Sequence, residues 1–209
     1  MKILKFVPVF ILLFVFTCFF SIKIQAQTFG AAVEGSLIVS QIDGDQSAGF
    51  NKPGPSIGLF GIAKLKEKLD LKIGISYDFR GSQSEFFPDN SYPQLKINLQ
   101  YVDVPLTIHY KDWLEKEGGF YHMDFYAGAY FGRLLSASAQ YSGYDDITNS
   151  FNKNEIGIIL GGGYNFNGHN GIGVKWCRGV NHLFESGTGG ANQNSLINRF
   201  IHFYYQYKF

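Results

Sequence analysis

Apolar and polar positions alternate along this chain, most clearly at its C-terminal end. In INRFIHFYYQYKF, every second residue from Ile201 to Phe209 is aliphatic or aromatic, while the intervening positions from His202 to Lys208 are mostly polar. A period of two places successive side chains on opposite faces of a β-strand. The segment is therefore predicted to be a strand between an apolar and a polar environment. Both a soluble sheet and a transmembrane barrel provide such a strand.

The same period recurs along the chain, without a helical stretch of comparable strength. It predicts an all-β protein of eight strands, at residues 28–40, 54–65, 69–80, 95–110, 120–134, 154–166, 171–180 and 197–209.

The connections between these segments alternate in length. KEK, DWLEKEGG and NGHN follow even-numbered segments, whereas longer polar connections, around Asp45, Asp89, Asp145 and Gly189, follow odd-numbered ones. Bacterial outer-membrane barrels have short periplasmic turns, long extracellular loops and an even number of strands. The predicted fold is an eight-stranded antiparallel up-and-down transmembrane β-barrel with its four long loops outside the cell.

The third segment, LDLKIGISYDFR, indicates which face is internal. An eight-stranded barrel is only wide enough to be filled by side chains, so large residues from every strand would overfill it. A basic residue facing lipid near the midplane would cost about 2–4 kcal/mol. The basic side chains are therefore predicted to point inward towards acids and close-packed glycines. The predicted inward set is Lys72, Lys96 and Lys175, with Glu34, Asp70, Asp78, Asp124 and Glu155.

The buried charges have two interpretations. They form a structural network that fills the lumen, or they line a proton path or selectivity filter, since ionisable groups within a membrane are costly and often functional. Barrel lumens are ordinarily polar, which favours the structural role and a plugged lumen.

Aromatic residues are expected to form a girdle at each membrane interface. The predicted periplasmic girdle is Tyr110, Trp113, Phe120, Tyr121, Tyr164, Phe166, Tyr207 and Phe209, and the predicted outer one is Tyr77, Phe79, Tyr130, Phe131 and Trp176.

The first residues have the layout of an export signal, with a basic start, a long apolar run and small residues near Ala26. Residues 1–26 are predicted to be a signal peptide and residues 27–209 the outer-membrane barrel domain. A permanent membrane anchor is the alternative, and lipid attachment at Cys18 fits its sequence context poorly. The mature chain would then keep Cys177 alone and could form no internal disulfide.

Composition narrows the functional classes. A net charge of +1 and 17% aromatic residues argue against disorder and against a nucleic-acid-binding surface. The five histidines lack a metalloprotease spacing, and the DGD at residues 43–45 is an incomplete calcium motif. His182 with Ser186 or Glu185 is the local candidate for a lipid hydrolase, although an exposed loop histidine is the simpler interpretation. No catalytic residue, metal site or cofactor is predicted.

The fourth segment, LKINLQYVDVPLTIHY, changes the phase of its apolar positions. The apolar set runs Leu95, Ile97, Leu99 and Tyr101 and then shifts by one residue, which predicts a β-bulge between Tyr101 and Pro105.

A family resemblance begins in this same segment. YVDVPLTIHY resembles the Y-L-E-I-P-L signature of the PorT-type outer-membrane β-barrel domain family of Bacteroidetes. GAAVEGSLIVS, AGAYFGRLL, EIGIILGGGYNF and KWCRGVNHL are similar to further motifs of that family, in the same order. Trp176 and Cys177 depart from its usual tyrosines.

The resemblance implies a small outer-membrane barrel without an assigned activity. The principal expectation is a non-catalytic envelope protein whose barrel anchors extracellular loops for binding or support. A component of a type IX-like secretion or assembly machine is the alternative, and an outer-leaflet lipid hydrolase is a third hypothesis. The expected partners are outer-membrane lipid, a protein at the loops, and the barrel assembly machinery through the closing Phe209, with no nucleic acid.

Overall fold

The structure, a computed structural model, describes residues 28–44, 49–85, 96–140, 144–146, 151–183 and 196–209. None of these segments contains a helix with the length and apolarity of a membrane span. They form nine strands: β1 (Phe29–Asp43), β2 (Lys52–Lys66), β3 (Leu69–Gln83), β4 (Lys96–Glu115), β5 (Phe120–Gln140), β6 (Tyr144–Asp146), β7 (Asn154–Asn165), β8 (Asn170–Gly179) and β9 (Ile197–Lys208).

Eight of these strands close into an antiparallel barrel. The sheet runs in the order β4-β3-β2-β1-β9-β8-β7-β5-β6, and a further pairing of β4 with β5 closes it. β6 is an additional short strand that, within the described residues, pairs with the end of β5, from Ser138 to Gln140. The predicted eight-stranded up-and-down barrel is confirmed, and each predicted segment coincides with one barrel strand.

The short connections lie together at one end of the barrel, called here the turn end. They join Lys66 to Leu69, Glu115 to Phe120 and Asn165 to Asn170. Gly119 has a positive φ of 64° in the second turn, a conformation that glycine adopts without steric cost. The opposite end, called the loop end, carries the long connections. Of the four positions that marked these connections in the sequence, Asp145 is described and lies within β6. Asp45, Asp89 and Gly189 lie outside the described residues.

The outer wall of the barrel is apolar. Large side chains of every barrel strand are exposed on it, among them Leu59, Ile75, Leu106, Leu160 and Phe203. Exposed apolar surface of this extent marks a wall that contacts lipid. The alternation of β9 is confirmed, because His202, Tyr204 and Gln206 are buried inside while Phe203, Tyr205 and Tyr207 face outward.

Inward-facing glycines make room for tyrosine rings in the lumen. A Cβ atom built at Gly157, Gly161 or Gly173 would lie only 2.2–2.4 Å from atoms of Tyr130, Tyr126 or Tyr204, respectively. Close packing therefore explains these glycines, as predicted, but the residues that they accommodate are aromatic as well as charged.

The predicted β-bulge is present next to its predicted position, but it lies in the partner strand β5 and not in β4. Burial alternates without interruption along β4, so that Ile97, Leu99 and Tyr101 face inward on the same side as Asp103. Gln100 pairs with Ser136 and Tyr101 with Leu134, which leaves one extra residue in β5. The apolar positions of β4 shift by one residue because they face an apolar part of the lumen at the loop end and face outward nearer the turn end.

Two side chains lie on the opposite face of the barrel wall from the one predicted. Lys96 was expected in the lumen, but its neighbour Ile97 is buried there, so Lys96 lies on the outward-facing side at the edge of β4. Tyr130 was expected in the outer girdle, but only 3% of it is exposed and it lies inside the barrel. Phe131 occupies the outward position beside it.

The turn-end girdle holds an aromatic cluster. The Trp113 ring lies 5.0 Å from His122 and 6.3 Å from Tyr164, and Tyr164 contacts Phe166 at 5.6 Å, between ring centroids. Trp113 has a φ of 59°, which a bulky residue adopts only when its surroundings hold it there.

Candidate functional site

The lumen contains a network of buried charged side chains, called here the lumenal network. Lys72 and Lys175 face inward as predicted, together with the predicted acids Glu34, Asp78 and Glu155. Three further residues complete the network: Arg80, Asp103 and His202. The predicted acids Asp70 and Asp124 also face the lumen, nearer the turn end.

Glu34 on β1 holds the middle of the lumenal network. One carboxylate oxygen lies 3.2 Å from Lys72 Nζ on β3, and the other accepts a short hydrogen bond from Lys175 on β8. Lys72 Nζ also donates to Gln206 Oε1 at 3.3 Å and lies 4.3 Å from the centre of the Phe60 ring. One carboxylate therefore connects two strands that are not its neighbours in the sheet.

Asp78 and His202 form the next layer. Asp78 Oδ1 accepts a hydrogen bond of 2.6 Å from Ser56 Oγ, and Asp78 Oδ2 lies 3.9 Å from His202 Nε2. His202 Nδ1 lies 3.0 Å from Ser36 Oγ. Polar groups of four neighbouring strands, β3, β2, β1 and β9, thus contact one another on the inner wall of the barrel.

Arg80 is the most enclosed cation of the network. Its Nη2 atom donates to Asp103 Oδ1 at 2.8 Å, and Nη1 lies 3.7 Å from Glu155 Oε1. The guanidinium lies between the rings of Tyr101 and Phe200, 4.0 and 4.2 Å from their centres. Two carboxylates and two aromatic faces compensate the cost of burying this charge.

Glu155 is the acceptor at which several strands meet. Asn198 Nδ2 donates to its Oε2 atom at 2.6 Å, and Tyr130 donates a short hydrogen bond to Oε1. The sequence indicated Glu155 as an inward acid but did not indicate its partners, because they come from β3, β5 and β9.

A smaller polar group lies nearer the turn end. His109 Nδ1 lies 2.9 Å from Asp124 Oδ1, and His109 Nε2 lies 2.8 Å from Thr107 Oγ1. Tyr126 stacks on the His109 ring with 4.4 Å between their centres. A carboxylate, an imidazole and a hydroxyl in sequence resemble a catalytic arrangement, but all three residues are buried in the barrel interior, away from any substrate on the outer wall.

The loop end of the lumen is closed by an apolar layer, called here the apolar cap. Its buried members are Ile42, Ile97, Leu99, Tyr101, Leu134, Ala137, Phe151 and Leu183. Beneath it, the cavity between Glu34, Lys72, His109 and Lys175 measures about 20 Å³, enough for one water molecule. The lumen is packed with side chains, as its strand number predicted.

The other predicted candidates do not assemble into a site in the described part of the chain. His182 is exposed, and its carbonyl oxygen accepts a hydrogen bond from Asn152 Nδ2. Ser186 and Glu185, like the predicted signal peptide 1–26, lie outside the described residues. No group of three or more potential metal ligands occurs among the residues described. Cys177 is a buried free thiol.

A closed antiparallel barrel with an apolar outer wall and a charged, packed lumen defines a small transmembrane β-barrel protein. The chain belongs to the family described as outer membrane protein beta-barrel domain, whose model matches residues 25–185. It is therefore an outer-membrane barrel.

Solved structures share this fold. Ail, the attachment invasion locus protein of Yersinia pestis, has a TM-score of 0.50 and 11% identity, over 86% of this chain and 98% of that one. Neisserial surface protein A has a TM-score of 0.50 and 12% identity, over 88% of this chain and 100% of that one. At these identities the likeness establishes the fold. Among curated proteins, no sequence matches this chain.

Proposed function

We propose that this protein is a non-catalytic outer-membrane barrel that anchors four extracellular loops, with a structural or binding role in the cell envelope. The observation that carries the proposal is the filled lumen. Charged pairs and tyrosine rings occupy its middle, and the apolar cap closes the loop end. A barrel filled in this way offers a rigid scaffold, and variation is tolerated best in loops that such a scaffold positions.

The orientation belongs to the same proposal. The loop end faces the outside of the cell and the turn end faces the periplasm, as in other outer-membrane barrels. Export uses residues 1–26 as a removable signal peptide.

The test is to shorten all four long connections while keeping every barrel strand. We expect a membrane-inserted, heat-stable barrel that has lost the binding phenotype of the intact protein. In planar bilayers, neither the intact nor the shortened protein should give steady single-channel currents. Steady currents through the intact protein would contradict the proposal, because they would require an open path past Arg80 and the apolar cap.

The motifs that resemble the PorT-type family of Bacteroidetes support a second proposal, a role as a component of a type IX-like secretion or assembly machine. Purification from native outer membranes distinguishes the two. Stoichiometric recovery of secretion proteins with the barrel would favour the secretion role, and recovery of the barrel without them would favour the envelope role.

Assembly of the barrel is proposed to use its C-terminal strand. Phe209 N donates to Ala31 O at 2.9 Å, while 74% of the residue is exposed. The ring is therefore accessible beside the seam between β1 and β9, where the assembly machinery would bind it. Replacing Phe209 with Ala should lower the amount of barrel in the outer membrane without lowering the stability of the purified, folded protein.

A further inference from the structure

Two arginines lie opposite each other on the outer wall at the loop end. Arg178 on β8 and Arg199 on β9 are direct partners in the antiparallel register. Both face outward, because the neighbouring partners Cys177 and Phe200 are buried inside. Opposite residues of this kind have Cβ atoms about 4.5–5.5 Å apart, and like charges in that position are destabilising. The sequence therefore places two like charges directly opposite each other, an arrangement that by itself lowers the stability of the strand pair.

The arginines mark the edge of the apolar wall. Along β9 the outward positions between Arg199 and the turn end are Ile201, Phe203, Tyr205 and Tyr207. About ten residues of tilted strand separate Arg199 from the end of the chain, which corresponds to roughly 25 Å along the membrane normal. This is the height of the apolar band of an outer-membrane barrel, so Arg178 and Arg199 lie at the level of the lipid headgroups.

The local charges are unequal. Arg199 Nη2 donates to Asp43 Oδ2 at 2.6 Å, but the Nε atom of Arg199 is buried without a hydrogen-bond partner. Arg178 has no carboxylate partner among the described residues. Within the described part of the chain, one carboxylate thus faces two guanidinium groups, which leaves an excess positive charge and unused donors at the headgroup level.

An apolar groove lies on the same wall, closer to the turn end. Its volume is about 750 Å³, and its lining includes Gly35, Gly162, Val174 and Phe203. Val174 and Phe203 are opposite partners on the two strands that carry the arginines. Four residues separate each from its arginine, about 13 Å along the strand. A Cβ atom at Gly35 would meet no atom within 4 Å, so packing within the protein does not require glycine at this position.

We propose that Arg178 and Arg199 bind the phosphate of a phosphate-bearing membrane lipid, with one of its acyl chains in the groove below. Guanidinium groups bind phosphate through paired, charge-assisted hydrogen bonds. The outer wall faces lipid, so the groove is open to acyl chains while the barrel is in the membrane. The phosphate compensates the second arginine, and the site lies on the barrel wall, apart from the loops that the proposed function uses.

The test measures retained lipid by native mass spectrometry of the refolded full barrel in detergent. The probes are phosphatidic acid, diacylglycerol with the same acyl chains, and inorganic phosphate alone. The wild-type barrel should retain phosphatidic acid in preference to diacylglycerol, and inorganic phosphate should not displace it. An Arg178→Gln/Arg199→Gln variant should retain phosphatidic acid less well by about tenfold or more, because the loss of even one charge-assisted hydrogen bond corresponds to about tenfold.

Two variants serve as controls. Arg133→Gln removes an outward arginine at the same end, where its Nη1 donates to Asn154 Oδ1 at 2.6 Å, and it should retain lipid as the wild type does. Gly35→Val partly fills the groove and should weaken phosphatidic acid retention while leaving Arg178 and Arg199 in place. A heat-dependent shift in electrophoretic mobility verifies that each variant is folded.

Equal retention by wild type and the double variant would overturn the proposal. So would equal retention of phosphatidic acid and diacylglycerol, or displacement of the lipid by inorganic phosphate.

Discussion

Adjacent residues on β3 allow a direct measurement of which side of the barrel faces lipid. Lys72 is 7% exposed and Ile73 is 51% exposed. In an Ile73→Lys variant, a charge would project into the hydrocarbon. The cost is about 2–4 kcal/mol near the midplane and decreases towards the interfaces. Ile73→Met introduces a chain of similar length without the charge and should leave the stability nearly unchanged.

The matched change on the inner face is Lys72→Met. It removes the contacts of Lys72 Nζ with Glu34 at 3.2 Å and Gln206 at 3.3 Å. Removing one partner of a buried ion pair costs about 3–5 kcal/mol when the other charge is left alone. Glu34 keeps its second cation, Lys175, so we expect a loss near that of one charge-assisted hydrogen bond, about 1.5 kcal/mol.

Urea unfolding of barrels refolded in lipid vesicles measures both losses. Ile73→Lys should lose more of the free energy of unfolding than Lys72→Met, and should also reduce the fraction of protein that inserts. The opposite order, with Ile73→Lys tolerated and Lys72→Met failing to insert, would refute the assignment of the apolar face to lipid.

Three further predictions use the same stability and insertion assays or intact cells. Gly161→Val places a Cβ atom against a lumenal tyrosine ring, 2.4 Å away, and should cost about 1–3 kcal/mol or block insertion, whereas the outward-facing Gly35→Val should insert normally. Arg80→Met leaves two buried carboxylates without their cation and should cost about 3–5 kcal/mol, while the exposed Arg133→Met should change stability little. Protease added to intact cells should cut in the connection around Asp89, and exclusive cleavage in DWLEKEGG would contradict the proposed orientation.

The strands could be predicted from the sequence because their period is a local property. The alternation of side chains along a strand correctly predicts that Lys72 and Lys175 face the lumen, because their apolar neighbours face outward. The packed lumen followed from the number of strands and the width of the barrel that they enclose. Both predictions are independent of which strands contact each other across the interior.

The local pattern is misleading where the interior changes character. A lumen that is polar along its full height would hold Lys96, and alternation would then turn Ile97, Leu99 and Tyr101 outward. The structure shows that these apolar residues form part of the cap at the loop end. No local pattern distinguishes an apolar layer inside a barrel from an apolar wall outside it, because both give the same alternation.

The partners within the lumenal network were also beyond local reasoning. Arg80 and Glu155 lie on β3 and β7, which share no edge of the sheet, and they approach only because the sheet closes. Tyr130 was assigned to the interface as an aromatic residue, whereas its hydroxyl group donates to Glu155 inside. The Arg80 contact therefore depends on the closed sheet, whereas the Tyr130 contact joins the neighbouring strands β5 and β7 and depends on which face is internal.

The bonds across the lumen have a consequence for the kinetics of the barrel. Glu34 and Lys175 lie on strands that are not neighbours and are separated by 141 positions in the chain, so their contact forms only when the sheet has nearly closed. Interactions absent from the folding transition state affect mainly the unfolding rate. Weakening the pair should therefore leave the rate of insertion nearly unchanged and shorten the lifetime of the inserted barrel. The buried charges would then act chiefly by slowing the opening of a barrel that has already closed.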